Sequence, residues 1–129
     1  MKTTLSCIIL FVQDVDKLKY FYMNNFNLAL VEEIKTEWVL LKAGHCEIGL
    51  HKIGTQYLQS IETPFKSDNN TKIVFEIDED IFSIHKILEA KNVIIKEIMS
   101  WDNYPFWICD GEDPEQNVFQ LRMKKQVIS

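Results

Sequence analysis

The sequence predicts an α+β fold of two tandem βαβββ modules whose strands make one curved mixed sheet with a site between the halves. Three observations carry this. A strand-into-helix pattern occurs twice, from Cys7 through Val12 to Asp14 and again from Lys72 through Ile77 to Asp80. The copies are offset by about 65 residues, as in an internal duplication. Each copy is followed by short β-branched and aromatic runs cut by turn-sized polar pairs.

The elements follow in order. Residues 5–12 form a strand, and Asp14 caps a helix whose apolar stripe is Val15, Leu18, Phe21 and Tyr22. Asn24, Asn25 and Asn27 end that helix. Strands are expected at 28–35, at Trp38–Ala43 and at Cys46–Lys52, separated by Thr36-Glu37 and Gly44-His45. Residues 53–70 contain Gly54, Pro64 and a Ser67–Asn70 polar run, and read as a linker with a helical turn near 56–61. The second module, about 71–124, repeats the order. It has a strand at 71–77, a helix capped by Asp80 with the stripe Ile81, Ile84, Ile87 and Leu88, and strands at 93–99, 106–109 and 118–123. The first module spans about 5–52, and the whole chain of 129 residues fits a single domain.

Composition narrows the function. The formal net charge is −5, and lysine and arginine are scattered, so no clustered basic footprint for nucleic acid exists. No apolar run approaches the roughly 18 residues that cross a bilayer, and the apolar start lacks a cleavage signal, so a cytoplasmic protein is expected. Cys7, Cys46 and Cys109 have no C-x-x-C spacing and read as reduced thiols.

Alternation along the strands separates two faces. Ile8, Leu10, Val12, Cys46, Ile48, Leu50, Ile73, Phe75, Ile77, Phe119, Leu121 and Met123 share an apolar face, which belongs under the helices. The other carries Cys7, Ile9, Phe11, Glu47, Gly49, His51, Lys72, Val74, Glu76, Val118, Gln120 and Arg122. That mixture of ionisable and apolar groups suits a ligand-lining surface. His51 is the general-base candidate, because imidazole is the side chain built to exchange protons near neutrality. Glu47 and Glu76 are the accompanying carboxylates, and Lys72 and Arg122 suit an anion. The bland alternative pairs Lys72 with Glu76 and Glu47 with His51 as ordinary charge balance.

Aromatics form a second candidate region. Trp101, Tyr104, Phe106 and Trp107 cluster beside Asp102 and Asp110, with Trp38 in the equivalent part of the first module. They suit stacking on a flat or cationic ligand, with residues 100–105 as a lid, or else a dimer seam.

The duplicated βαβββ pattern, the Phe21-Tyr22 pair on the first helix and Asp113-Pro114-Glu115 with Asn117 before the last strand resemble the vicinal oxygen chelate superfamily. That superfamily includes glyoxalase I, bleomycin-resistance proteins, fosfomycin-modifying enzymes and extradiol dioxygenases. The resemblance covers about residues 5–124. It implies eight strands in a cup, helices on the convex face, a ligand in the concavity and a homodimer, but no single reaction.

Metal-using members place one ligand on the first and one on the last strand of each module. Those positions fall here on Cys7, Gly49, Lys72 and Gln120. Gly49 has no donor. Lys72 opposes a cation, at a cost of about 4 kcal/mol per unit charge at ~4 Å and an effective dielectric near 20. Cys7 and Gln120 alone do not complete a zinc or octahedral site. No metal and no cofactor are therefore expected.

The candidate ligand-binding residues are Cys7, Phe11, Trp38, Glu47, His51, Lys72, Glu76, Trp101, Tyr104, Trp107, Gln120 and Arg122. The preferred reading is metal-independent binding of a small planar or cationic molecule, similar to the bleomycin-resistance branch. The alternatives are a lyase, isomerase or dioxygenase-type enzyme using His51 with Glu47 or Glu76, and a domain that only dimerises.

Overall fold

The computed structural model describes residues 1–54 and 71–126. Most of the linker, including its expected helical turn, lies outside the described residues. The first module runs β1 (Cys7–Val12), α1 (Val15–Phe26), β2 (Ala29–Ile34), β3 (Trp38–Ala43) and β4 (Cys46–Lys52). The second runs β5 (Lys72–Glu76), α2 (Ile81–Ala90), β6 (Ile94–Ile95), β7 (Phe106–Glu112) and β8 (Val118–Lys124). The chain divides into two compact units, Met1–Lys66 and Ser67–Ser129, and each holds its own four-stranded mixed sheet.

In the first unit the strand order is β1-β4-β3-β2. The crossover through α1 sets β1 parallel to β4, while the two tight turns make β2, β3 and β4 antiparallel. Asp14 caps α1 by accepting the Lys17 N–H at 3.0 Å, and Asn27, left-handed at φ 57°, ends it. Thr36 and Gly44 take the positive φ that their hairpin turns need, 66° and 68°. Val15, Leu18 and Tyr22 bury α1 against Leu10, Val12, Val39, Leu41, Ile48 and Leu50, with Phe21 half-buried at the edge.

The second unit repeats the topology as β5-β8-β7-β6, with β5 and β8 parallel. Its core is Ile73, Ile81, Leu88, Cys109, Phe119 and Leu121. The expected helix stripe needs one correction. Ile87 is half exposed, because it lies six residues from Ile81 and so about 120° off the stripe at 100° per residue. The expected strand at 93–99 is also shorter. Lys96 N–H bonds to the Asp110 carbonyl and Met99 bridges Ile108, so three steps on one side oppose two on the other. That extra residue breaks the ladder and leaves β6 two residues long.

Asp113 organises the β7–β8 hairpin from inside. It is 2% exposed. One carboxylate oxygen accepts the N–H groups of Glu115 and Asn117 at 2.8 and 2.9 Å, and the other accepts the Asn117 amide at 2.9 Å. Gln116 takes φ 65° to close the loop. The Asp-Pro-Glu-Gln-Asn run is thus a side-chain-built turn that sets the β7–β8 register. No described helix is long and apolar enough to cross a membrane.

Candidate functional site

Burial assigns the faces as alternation predicts. Within the first unit Leu10, Val12, Ile48 and Leu50 are buried beneath the helix side, while Ile9, Phe11 and His51 are exposed on the open side. Within the second unit Ile73, Phe119 and Leu121 are buried, and Lys72, Val74 and Glu76 are exposed.

On the open face of the first sheet, strand register aligns three rings. His51 on β4 pairs with Phe11 on β1 and with Trp38 on β3. Ring centroids lie 5.4 Å from Phe11 to His51 and 6.0 Å from Trp38 to His51, in tilted and edge-on geometries. The indole of Trp38 lies across Gly49. A Cβ added there would stand 2.8 Å from Trp38 Cζ3, nearer still to Cη2, and 3.2 Å from Ile9 Cγ1. The absence of a side chain at Gly49 is therefore what makes room for the indole. Trp38 Nε1 donates to Glu32 at 3.2 Å, which fixes the ring in its plane. The result is a row of rings across three strands, with Phe11 and His51 exposed and Trp38 half-buried.

The imidazole is oriented by the backbone. His51 Nδ1 lies 2.7 Å from the Lys52 carbonyl, which only accepts, so Nδ1 is the donor in this contact and Nε2 is the nitrogen left open. The expected Glu47–His51 pairing is not formed. Four residues along one strand are about 13 Å apart, with Gly49 between them. The same distance separates Lys72 from Glu76, and that expected pair is also replaced by cross-strand partners.

Those partners organise the open face of the second sheet. Lys72 donates to Asp110 at 2.7 Å, and Gln120 Nε2 donates to the other Asp110 oxygen at 2.9 Å. Burial disfavours the Asp110 charge, yet the hydrogen bonds from Lys72 and Gln120 and the charges of Lys72 and Lys96 hold its carboxyl below the ordinary aspartate value. Arg122 is Glu76's register partner and contacts it at 3.0 and 3.2 Å, with its guanidinium 4.3 Å above the Phe106 ring. Asp110 was not among the expected site residues. The hairpin loop carried the missed signal, since its length places Asp110 directly opposite Gln120.

The aromatic cluster is divided by the sheet. Trp101, Tyr104 and Phe106 form a chain of ring contacts at 5.1 and 5.9 Å. Trp107, expected among the same ligand-binding rings, turns to the helix side, where it meets Phe82 at 5.3 Å and pairs with Met123. Alternation along β7 makes that separation unavoidable. The expected lid is pinned. Ser100 Oγ donates to the Phe106 carbonyl, and Lys125 donates its N–H to the Pro105 carbonyl and its ammonium to the Trp101 carbonyl.

Cys7 is half-buried, and burial pushes its thiol up, with the Glu47 charge adding to this. Burial raises Cys109 further, to about 11. Both stay protonated near neutrality and are poor nucleophiles.

The four positions that the resemblance assigns to metal donors do not form a donor set. Gly49 has no side chain and lies under an indole, Lys72 is bound to Asp110, and Gln120 is bound to the same carboxylate. Among the described residues no three His, Cys, Asp or Glu side chains are grouped to hold a metal.

No protein-family model matches the sequence, and no curated protein matches it significantly. Solved structures do. A lactoylglutathione lyase from Agrobacterium tumefaciens superposes at TM-score 0.73 and 17% identity, over 95% of this chain and 94% of that one. The genomically encoded fosfomycin resistance protein FosX from Listeria monocytogenes superposes at 0.75 and 19%, over 97% and 96%, and has also been solved with Mn(II) and sulfate. A protein from the mobile metagenome of V. Pseudocholerae superposes at 0.71 and 20%, over 98% of each chain. At these identities the likeness is one of fold.

Proposed function

We infer that this chain, which has the vicinal oxygen chelate fold of those lyase and fosfomycin-resistance structures, binds a small planar or cationic molecule without a metal ion. The observation that supports this most is the Trp38 indole lying over Gly49, flanked by His51 and exposed Phe11. Where metal-using relatives carry a donor, this chain carries a stacking surface. Aromatic faces attract flat rings and cations alike, by about 0.5–2 kcal/mol per contact. The acidic balance of the chain favours the cation.

The test is a screen of planar and cationic aromatic compounds by tryptophan quenching, in EDTA and again with added zinc, nickel or manganese. Equal affinity in both conditions supports the reading. Binding that appears only with metal refutes it.

The alternative is a lyase or isomerase of the same superfamily, favoured by one observation: the Lys52 carbonyl orients His51 so that Nε2 is the basic nitrogen. An enzyme that works this way loses turnover in His51→Ala while keeping its fold. Unchanged turnover removes His51 from any mechanism.

The reading includes a cytoplasmic homodimer. Edge strand β2 supports it, because Leu30, Val31 and Ile34 are 41%, 50% and 63% exposed on it. A monomer in sedimentation at micromolar concentration would remove that part.

A further inference from the structure

We propose that the second module carries a separate ligand site on its helix side, shaped for a compact organic cation with an aromatic or alkyl body. A groove of about 610 Å³ opens there, within the range of small-molecule sites. Its apolar wall is Phe82, Trp107 and Met123, with the Phe82 and Trp107 rings edge-on at 5.3 Å. Phe82 is 44% exposed, unusual for a large ring on a helix that buries Ile81 and Leu88.

Charge at the rim selects the ligand. Asp78, Asp80 and Lys124 line the groove, while its third lining carboxylate, Glu76, is engaged by Arg122. Asp80 is partly committed, since its two oxygens accept the Phe82 N–H and the Ser83 hydroxyl as the cap of α2. Exposed Asp78 is the carboxylate that meets an ammonium group. The protein shows this chemistry internally, because the Lys125 ammonium stands 5.1 Å from the Trp107 ring centroid.

The site does not depend on the Trp38 surface, so the two readings fail separately. Phenethylammonium is titrated into the full chain and followed by amide and methyl NMR shifts, with phenylacetate as the anionic control. Shifts are expected at Phe82, Trp107 and Met123, with no equivalent response to phenylacetate. Asp78→Asn weakens binding about threefold to fivefold. Phe82→Ala weakens it about tenfold. Trp38→Ala leaves the shifts at these three residues unchanged. Equal response to phenylacetate, shifts confined to other residues, or indifference to both Asp78→Asn and Phe82→Ala overturns the proposal.

Discussion

The open faces of the two sheets share a topology and differ in chemistry. The first presents rings, Phe11, His51 and Trp38, above a glycine. The second presents interlocked charges, Lys72–Asp110–Gln120 and Glu76–Arg122. In the first an indole lies across the backbone of Gly49. In the second the Lys72 cation is neutralised by Asp110. A duplicated fold thus constrains where residues stand and leaves their chemistry free to diverge.

The sharpest way to break this comparison is to put a side chain back at position 49. Gly49→Glu forces the Trp38 ring off the sheet and is expected to destabilise the protein by about 1–3 kcal/mol. Trp38→Ala combined with Gly49→Glu recovers most of that loss, a coupling that denaturant melts of the four variants measure directly. A neutral Gly49→Glu would mean that the indole does not need the glycine.

The next largest effect is on binding. Trp38→Ala is expected to weaken the best planar ligand at least about tenfold, or ~1.4 kcal/mol, in quenching or calorimetric titrations. Lys72→Met should leave that affinity unchanged. Comparable losses from both variants would erase the distinction between the faces.

Acid probes the second face alone. The folded-state pKa of Asp110 is depressed, so its contribution is present above the ordinary aspartate range near 3.9 and is lost as pH falls through the folded value. Lys72 and Asp110 are 42% and 28% exposed, so solvent screening holds the contribution below about 1 kcal/mol. Urea melts between about pH 6 and 3 should show a steeper loss for wild type than for Lys72→Met. Identical slopes would assign the acid sensitivity elsewhere.

The smallest effect belongs to Arg122→Ala. Its partner Glu76 is 44% exposed, and a change of about 0–1 kcal/mol in thermal melts is expected. A larger loss would make the guanidinium–Phe106 stack the dominant contact.

Much of this was legible in the chain. The apolar periodicity of residues 7–12, 46–50 and 119–121 places the faces correctly, because a strand has only two of them. Asp14 and Asp80 mark both helix starts, because a carboxylate at that position satisfies otherwise unpaired N–H groups. Partners across strands were not legible. Lys72 and Glu76 look like neighbours in sequence, yet stand four residues apart on an extended backbone, so each finds a partner on another strand. Trp107 and Trp101 are close in sequence, yet Trp107 meets Phe82 while Trp101 meets Tyr104.

By itself, then, the sequence determined the duplicated βαβββ order, the caps, the Asp113 turn and the buried stripes, all governed by contacts within a few residues. Only the tertiary structure decided that Trp38 covers Gly49, that Asp110 holds Lys72, and that Trp107 meets Phe82. Those follow from strand register and packing, which depend on residues far apart in the chain and on the volume each side chain finds when the strands come together.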